Sequence, residues 1–227
     1  MNIERKSELP IPDDDPILRN HLIEAGLLGA KYSFNIMHHY LAEIERREQY
    51  KYILIGDNPG VEEFEKGRYF IGKSGQALRI FFEENLVDNF DKEVIVYNKT
   101  QLHTSKTEQL HGVRSRLKFK LFNNILLDNA EIISVAHKLL NVPVIMVGYS
   151  EFTDLFQTFW KEINKNIFAE DILVFKHPSH NHFFDQWNFE KAKHPTKTNL
   201  ELLVDIGSKN RQIIQNRIDN NNEYNKT

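Results

Sequence analysis

Four short apolar runs punctuate the chain, each followed by a polar loop and then by residues of helical spacing. Tyr52-Ile53-Leu54-Ile55 is almost continuously apolar, as expected of a strand covered on both faces. Val94–Tyr97, Pro143–Gly148 and Ile172–Phe175 repeat that pattern. Around them, apolar residues recur every three or four positions, which predicts helices. One covers Pro16–Gln49, with Leu18, Leu22, Leu27, Phe34, Met37, Leu41 and Ile44 on its apolar side. Another covers Gln76–Leu86 with Leu78, Phe81 and Phe82 inward, and a third covers Ser115–Asn141 with a break expected near Asp128-Asn129. Helices at Glu151–Ile163, Asp185–Lys193 and Asn199–Ile218 complete the series. Strands alternating with helices predict an α/β protein, a three-layer α/β/α sandwich around a central, mainly parallel four-stranded sheet. Residues 1–15 read as a flexible arm, 16–218 as a single domain, and the Asn-rich 219–227 as a tail that frays.

Composition narrows the class. At 227 residues and 41% hydrophobic content, a single core suffices. No run of about 18 apolar residues exists, so no membrane-spanning helix is expected. The first residues, with Glu4, Arg5, Lys6 and Glu8 before Pro10, hold no apolar segment of a secretory leader, and a cytoplasmic enzyme is the expectation. Without cysteine, disulfides, thiolate zinc sites and cysteine-bound iron–sulfur clusters are excluded. No metal or other cofactor is expected. A net charge of -3 does not advertise a nucleic-acid binder, but its distribution does more. Lys99, Lys106, Arg114, Arg116, Lys118 and Lys120 face only Glu108 across one stretch of chain, a candidate basic surface.

The chemistry concentrates in the loops that follow strands. Gly56-Asp57-Asn58-Pro59-Gly60 leaves the first strand as a tight polar turn. Asp57 is suited to act as a base or electrostatic stabiliser, and Asn58 to orient a water. Next, Gly67-Arg68-Tyr69-Phe70-Ile71-Gly72-Lys73-Ser74-Gly75 sets aromatic residues between glycines and enters a helix, with Ser74 as a candidate N-cap. Asn98 ends the second strand, where a side-chain amide offers the donor and acceptor that a base edge requires. His177-Pro178-Ser179-His180-Asn181 leaves the fourth strand, with proline biasing His177 to extended backbone. A neutral imidazole there is suited to stabilise an anionic leaving group. In an open parallel sheet such loops converge on one crevice beyond the strands' C-terminal ends.

Taken in order, these segments resemble the uracil-DNA glycosylase superfamily from about Tyr52 to Asn181. The family carries a strand followed by a Gly-x-x-Pro loop, a later aromatic, an Asn at a second strand end and a late His-Pro-Ser motif. Gly67–Gly75 followed by Gln76-Ala77-Leu78 is similar to the Pro-Phe-Val-Gly-x-Ala-Gly stretch of its iron–sulfur branches. The resemblance implies a glycosylase that removes uracil or another deaminated base from DNA in base excision repair. It implies Asp57, Asn58 and His177 as catalytic, with Asp57 or Asn58 placing the attacking water and His177 stabilising the departing base. Phe70 would stack on the flipped base and Asn98 would read its edge, with Gly56, Pro59, Gly60 and Ser179 completing the pocket. Lys73, Lys99, His180 and Asn181 would contact DNA.

The chain also departs from that pattern. The absent cysteines remove the cluster ligands of the iron–sulfur branches. Asp57 and Asn58 combine the first-motif signatures of different branches, Gly60 stands where the most active branch has tyrosine, and His180-Asn181 replaces the usual wedge. These departures leave a second reading open: a catalytically weak nucleic-acid or nucleobase-binding module on the same fold. A third, a phosphate-binding hydrolase or transferase, lacks the glycine spacing of a Walker-type loop around Gly72-Lys73-Ser74.

Overall fold

The computed structural model describes residues 49–117 and 119–224. The proposed arm and the Pro16–Gln49 helix lie outside the described residues, save for Gln49 itself. Four strands form one sheet: β1 (Tyr52–Gly56), β2 (Val94–Asn98), β3 (Val144–Val147) and β4 (Ile172–Phe175), in the order β2-β1-β3-β4. Every pairing is parallel. The helices are α1 (Val61–Lys66), α2 (Lys73–Asn85), α3 (Phe90–Glu93), α4 (Leu110–Leu117), α5 (Phe119–Leu140), α6 (Gln157–Asn166), α7 (His182–Lys193) and α8 (Asn199–Tyr224).

Strand side chains alternate between two cores. Ile53, Ile55, Ile95, Tyr97, Val144, Met146, Ile172 and Val174 pack with α4, α5, α6 and the later part of α8. Tyr52, Leu54, Val94, Ile145, Val147, Leu173 and Phe175 pack with α2, α3, α7 and the earlier part of α8. Both faces are covered, which is why each strand is apolar throughout and why the three-layer sandwich holds. On the edge strand β4, the Val174 carbonyl accepts a hydrogen bond from Asn210 of α8 at 2.9 Å. On the other edge, the Asn98 carbonyl of β2 accepts one from Asn129 of α5 at 2.8 Å. Helix asparagines thereby satisfy backbone groups that a sheet edge would leave unpaired.

Several helix boundaries differ from expectation. No break occurs at Asp128-Asn129, because Asn129 is 1% exposed and finds its partner on β2, so it does not turn the chain. Helix α2 begins at Lys73, capped by extended Gly72, and Ser74 sits inside it. Expected as one helix, Glu151–Ile163 divides into a 3₁₀ turn at Ser150–Thr153 and α6, since Asp154 (φ -136°, ψ -87°) leaves helical geometry. Helix α8 continues beyond Ile218 to Tyr224. Among the described residues, no helix is long and apolar enough to cross a membrane.

Candidate functional site

The parallel register pairs Gly56 with Asn98, so β1 and β2 end level with each other. Pairing continues past the strands: Lys99 N–H donates to Gly56 O at 2.9 Å and Thr100 N–H to Asp57 O at 3.3 Å. Both loops therefore leave the sheet together. A Cβ placed on Gly56 would collide with the Asn98 side-chain oxygen and lie 2.8 Å from Cε2 of Phe70. Glycine at 56 is what lets the amide and the ring meet. Asn98 is 1% exposed, and its side-chain Nδ2 has no hydrogen-bond partner among the described residues. A buried donor left unmet is costly, so its direction marks a place for an acceptor.

Phe70 reaches this point through a non-glycine backbone in the left-handed region, φ 56°. That conformation persists only when surroundings enforce it. Arg79 of α2 does so, donating through Nε to Phe70 O at 2.7 Å and through a terminal nitrogen to Tyr69 O at 3.1 Å. Arg79 is itself fixed by Asp91 at 2.6 Å and lies 4.4 Å over the Phe90 ring. Gly75 allows α2 to approach, since a Cβ there would sit 2.7 Å from Phe70 O.

Asp57 follows β1 at the point where the chain's crossovers diverge toward β2 and β3. Its side chain is only 10% exposed and forms an ion pair with Lys99. Gly148, after β3, turns beneath it at φ 79°, with Asp57 Oδ1 2.6 Å from where a Cβ would project. Lys99 also donates to Val147 O at 2.9 Å and to Gly148 O. The rings of Phe152 and Phe156 lie 4.5 Å and 5.2 Å from its nitrogen. The expected DNA contact of Lys99 is thus corrected: at 0% exposure it cannot reach a phosphate. The basic surface shrinks further because Arg114 pairs with Asp154 at 2.7 Å, while Lys106, Arg116 and Lys120 stay exposed.

Asn58 is held by the loop that follows β2. Its Nδ2 donates to Pro59 O, Thr104 O and Thr104 Oγ1 at 3.2, 3.2 and 3.0 Å, and its Oδ1 accepts from Thr107 at 2.9 Å. Both ends of the amide are engaged in the following loop, so Asn58 clamps that loop to the β1 exit. His103 reinforces the clamp by donating through Nδ1 to Pro59 O at 2.7 Å and stacking on Phe64 at 5.0 Å. Gly60 N–H donates to Glu63 at 2.9 Å, and burial raises the Glu63 carboxyl against the backbone donors of Gly60, Phe70 and Ile71.

His177 stands beyond β4. The Ser179 backbone N–H lies 3.1 Å from its Nδ1 and the Ser179 hydroxyl 2.7 Å. A backbone N–H only donates, so Nδ1 is the acceptor and Nε2 carries the proton. Burial, foremost, holds the imidazole below its ordinary range; Asp57 opposes this, while Lys99, His180 and His182 add to it. The neutral tautomer therefore presents an N–H. Ser179 orients His177 through its backbone N–H and its hydroxyl. His180 (φ 54°) and Asn181 (φ 61°) follow as exposed left-handed residues, and Lys73 is exposed at the start of α2.

Gly56, Asp57, Phe70 and Asn98 gather at one end of the sheet, with His177 within electrostatic reach of Asp57. Sequence reasoning missed Gly148, Arg79, Thr104, Thr107, His103 and Asn129. Only Asn129 left a trace, as a polar residue within the apolar stripe Ile125, Leu126, Ala130, Ile133. Among the described residues, no group of three or more His, Cys, Asp or Glu is arranged to hold a metal ion. The family model of the Uracil DNA glycosylase superfamily matches residues 45–199. A search of curated proteins returns no match.

Proposed function

The chain belongs to the Uracil DNA glycosylase superfamily, and from that premise we propose that it hydrolyses the N-glycosidic bond of uracil or another deaminated base in DNA. The observation that carries this reading is the meeting of Asn98 and Phe70 at Gly56, with the buried Asn98 Nδ2 awaiting an acceptor. A uracil carbonyl is such an acceptor, and an aromatic ring beside it suits a planar base. The bond from C1′ to the base nitrogen (N1 of uracil, N9 of hypoxanthine or xanthine) breaks with its electron pair leaving on the base; water adds its oxygen to C1′ and releases one proton, balanced by the proton the base anion takes up. The Nε2–H of His177 donates to the base anion as charge develops, a contribution of about 3 kcal/mol for one preorganised donor. Asp57 sets negative charge beside the sugar cation.

Oligonucleotides carrying uracil, hypoxanthine or xanthine, single- and double-stranded, test this when treated with the protein and then with alkali. Scission at the modified base is expected; intact strands at enzyme excess for every base would end the proposal. A second reading, binding without turnover, draws support from Asn58, whose amide is committed to Thr104 and Thr107. It expects salt-sensitive DNA affinity with no abasic product.

A further inference from the structure

Lys99 directly follows Asn98, yet it is fully buried and its nitrogen is surrounded by three oxygens: Asp57 Oδ1, Val147 O and Gly148 O. An ammonium has three N–H bonds to match them, whereas a neutral amine would point its lone pair at one oxygen. Phe152 and Phe156 line the remaining side at distances suited to a cation. Burial pulls the Lys99 pKa down while Asp57 and Glu151 oppose it; the match of three oxygens and two rings to the nitrogen favours the ammonium. No lone pair or free proton is left to face a substrate, so the nitrogen is no nucleophile in this arrangement.

The acceptors come from different strand ends. Asp57 follows β1, while Val147 and Gly148 close β3; Lys99 itself follows β2. We propose that Lys99 is a positioning residue that clamps the Asp57 carboxylate to the β3 exit and screens its charge from His177. For its effect on turnover the proposal rests on the glycosylase reading; the clamp itself is read without substrate. The charged groups acting on His177 are Asp57 from the β1 exit, Lys99 from the β2 exit, His180 from its own loop and His182 from the start of α7, while Glu151 acts on Lys99 from the β3 side. Burial is the first reason the imidazole stays neutral; Asp57 pulls it toward protonation, and Lys99 offsets part of that pull.

The test is an NMR titration of the His177 ring in the full chain, with urea denaturation to confirm folding of each variant. In Lys99→Met the His177 midpoint should rise above that of the wild type; a folded variant with an unchanged or lower midpoint overturns the proposal. Should Lys99→Met not fold, Asp57→Asn is read instead. There the unopposed cation should lower the His177 midpoint, and an unchanged or higher value overturns the proposal. Turnover of uracil-containing DNA by Lys99→Met should fall about 100-fold in kcat with KM little changed, as for a misplaced catalytic group. A wild-type kcat in that variant overturns the proposal. Borohydride treatment with abasic-site DNA should trap no adduct at Lys99, and an adduct there would show a nucleophile in place of a clamp. Were the wild type inactive on every base, the glycosylase reading would fail while the titrations still judged the clamp.

Discussion

The two sides of the candidate site are built differently. At the β1 exit, Asp57, Asn58 and Pro59 are tied by Lys99, Thr104, Thr107 and His103, from the chain that follows β2. At the β4 exit, His177 is held by Ser179 two residues away, and left-handed His180 and Asn181 stand in solvent. One side is fixed before any ligand arrives. The other orients one imidazole, and the residues that follow it are exposed. Among the described residues, the cross-element ties thus concentrate at the β1 exit, while the β4 exit relies on local ones.

Disrupting the fixed side should have the largest effect. Lys99→Met leaves the Asp57 carboxylate without its partner and should destabilise the fold by about 3–5 kcal/mol, read from urea denaturation. A loss below about 1 kcal/mol would mean that the pair contributes no rigidity. His177→Ala should invert the pattern, removing about 3 kcal/mol of barrier reduction, roughly 100-fold in turnover, while the melting temperature barely moves. Equal losses of stability and rate would erase the contrast between the two sides. Asn58→Ala should cost about 1–2 kcal/mol of stability through its lost hydrogen bonds. An Asn58→Ala variant of native stability would show that the Thr104–Thr107 clamp is ornamental.

The pH dependence sharpens the comparison further. His177 titrates below its ordinary value of 6.5 in the fold, chiefly because it is buried. The unfolded chain takes up that proton near 6.5 while the native site resists. The stability at stake is therefore whole above pH 6.5 and drains as pH falls toward the depressed native value. Protonation also places a second proton-bearing nitrogen against the Ser179 N–H. Denaturation midpoints of wild type and His177→Ala, similar near about pH 8, should separate toward about pH 5, the wild type falling further. Parallel curves would refute this sign. The smallest effect belongs to His180→Gly, which relieves a left-handed residue and should raise stability by no more than about 1 kcal/mol. A marked loss would reveal that the loop is held after all.

The four strands were legible because both faces of the sheet are covered, which writes each as an unbroken apolar run. Phe70, Asn98 and Asp57 were legible as candidates because glycines and strand ends flag them. Their partners were not. Lys99 reads as a surface cation by residue type, and only the placement of Gly148, 49 residues later, reveals its cage. Asn58 reads as a free amide until Thr104 and Thr107 close on it. Arg79 is one of several basic residues until α2 brings it beneath the Phe70 carbonyl. Local spacing reports which side chains lie at a strand end; it does not report which of them are already occupied.

The close approach of Gly75 to Phe70 has a consequence for how such chains can vary. A side chain at 75 would drive α2 off the loop and release the ring from Gly56. Positions 56, 70 and 75 are therefore sterically coupled: neither glycine can accept a Cβ while the Phe70 ring and backbone keep their places. A chain with a side chain at either position would have to rebuild this pocket wall with a different loop.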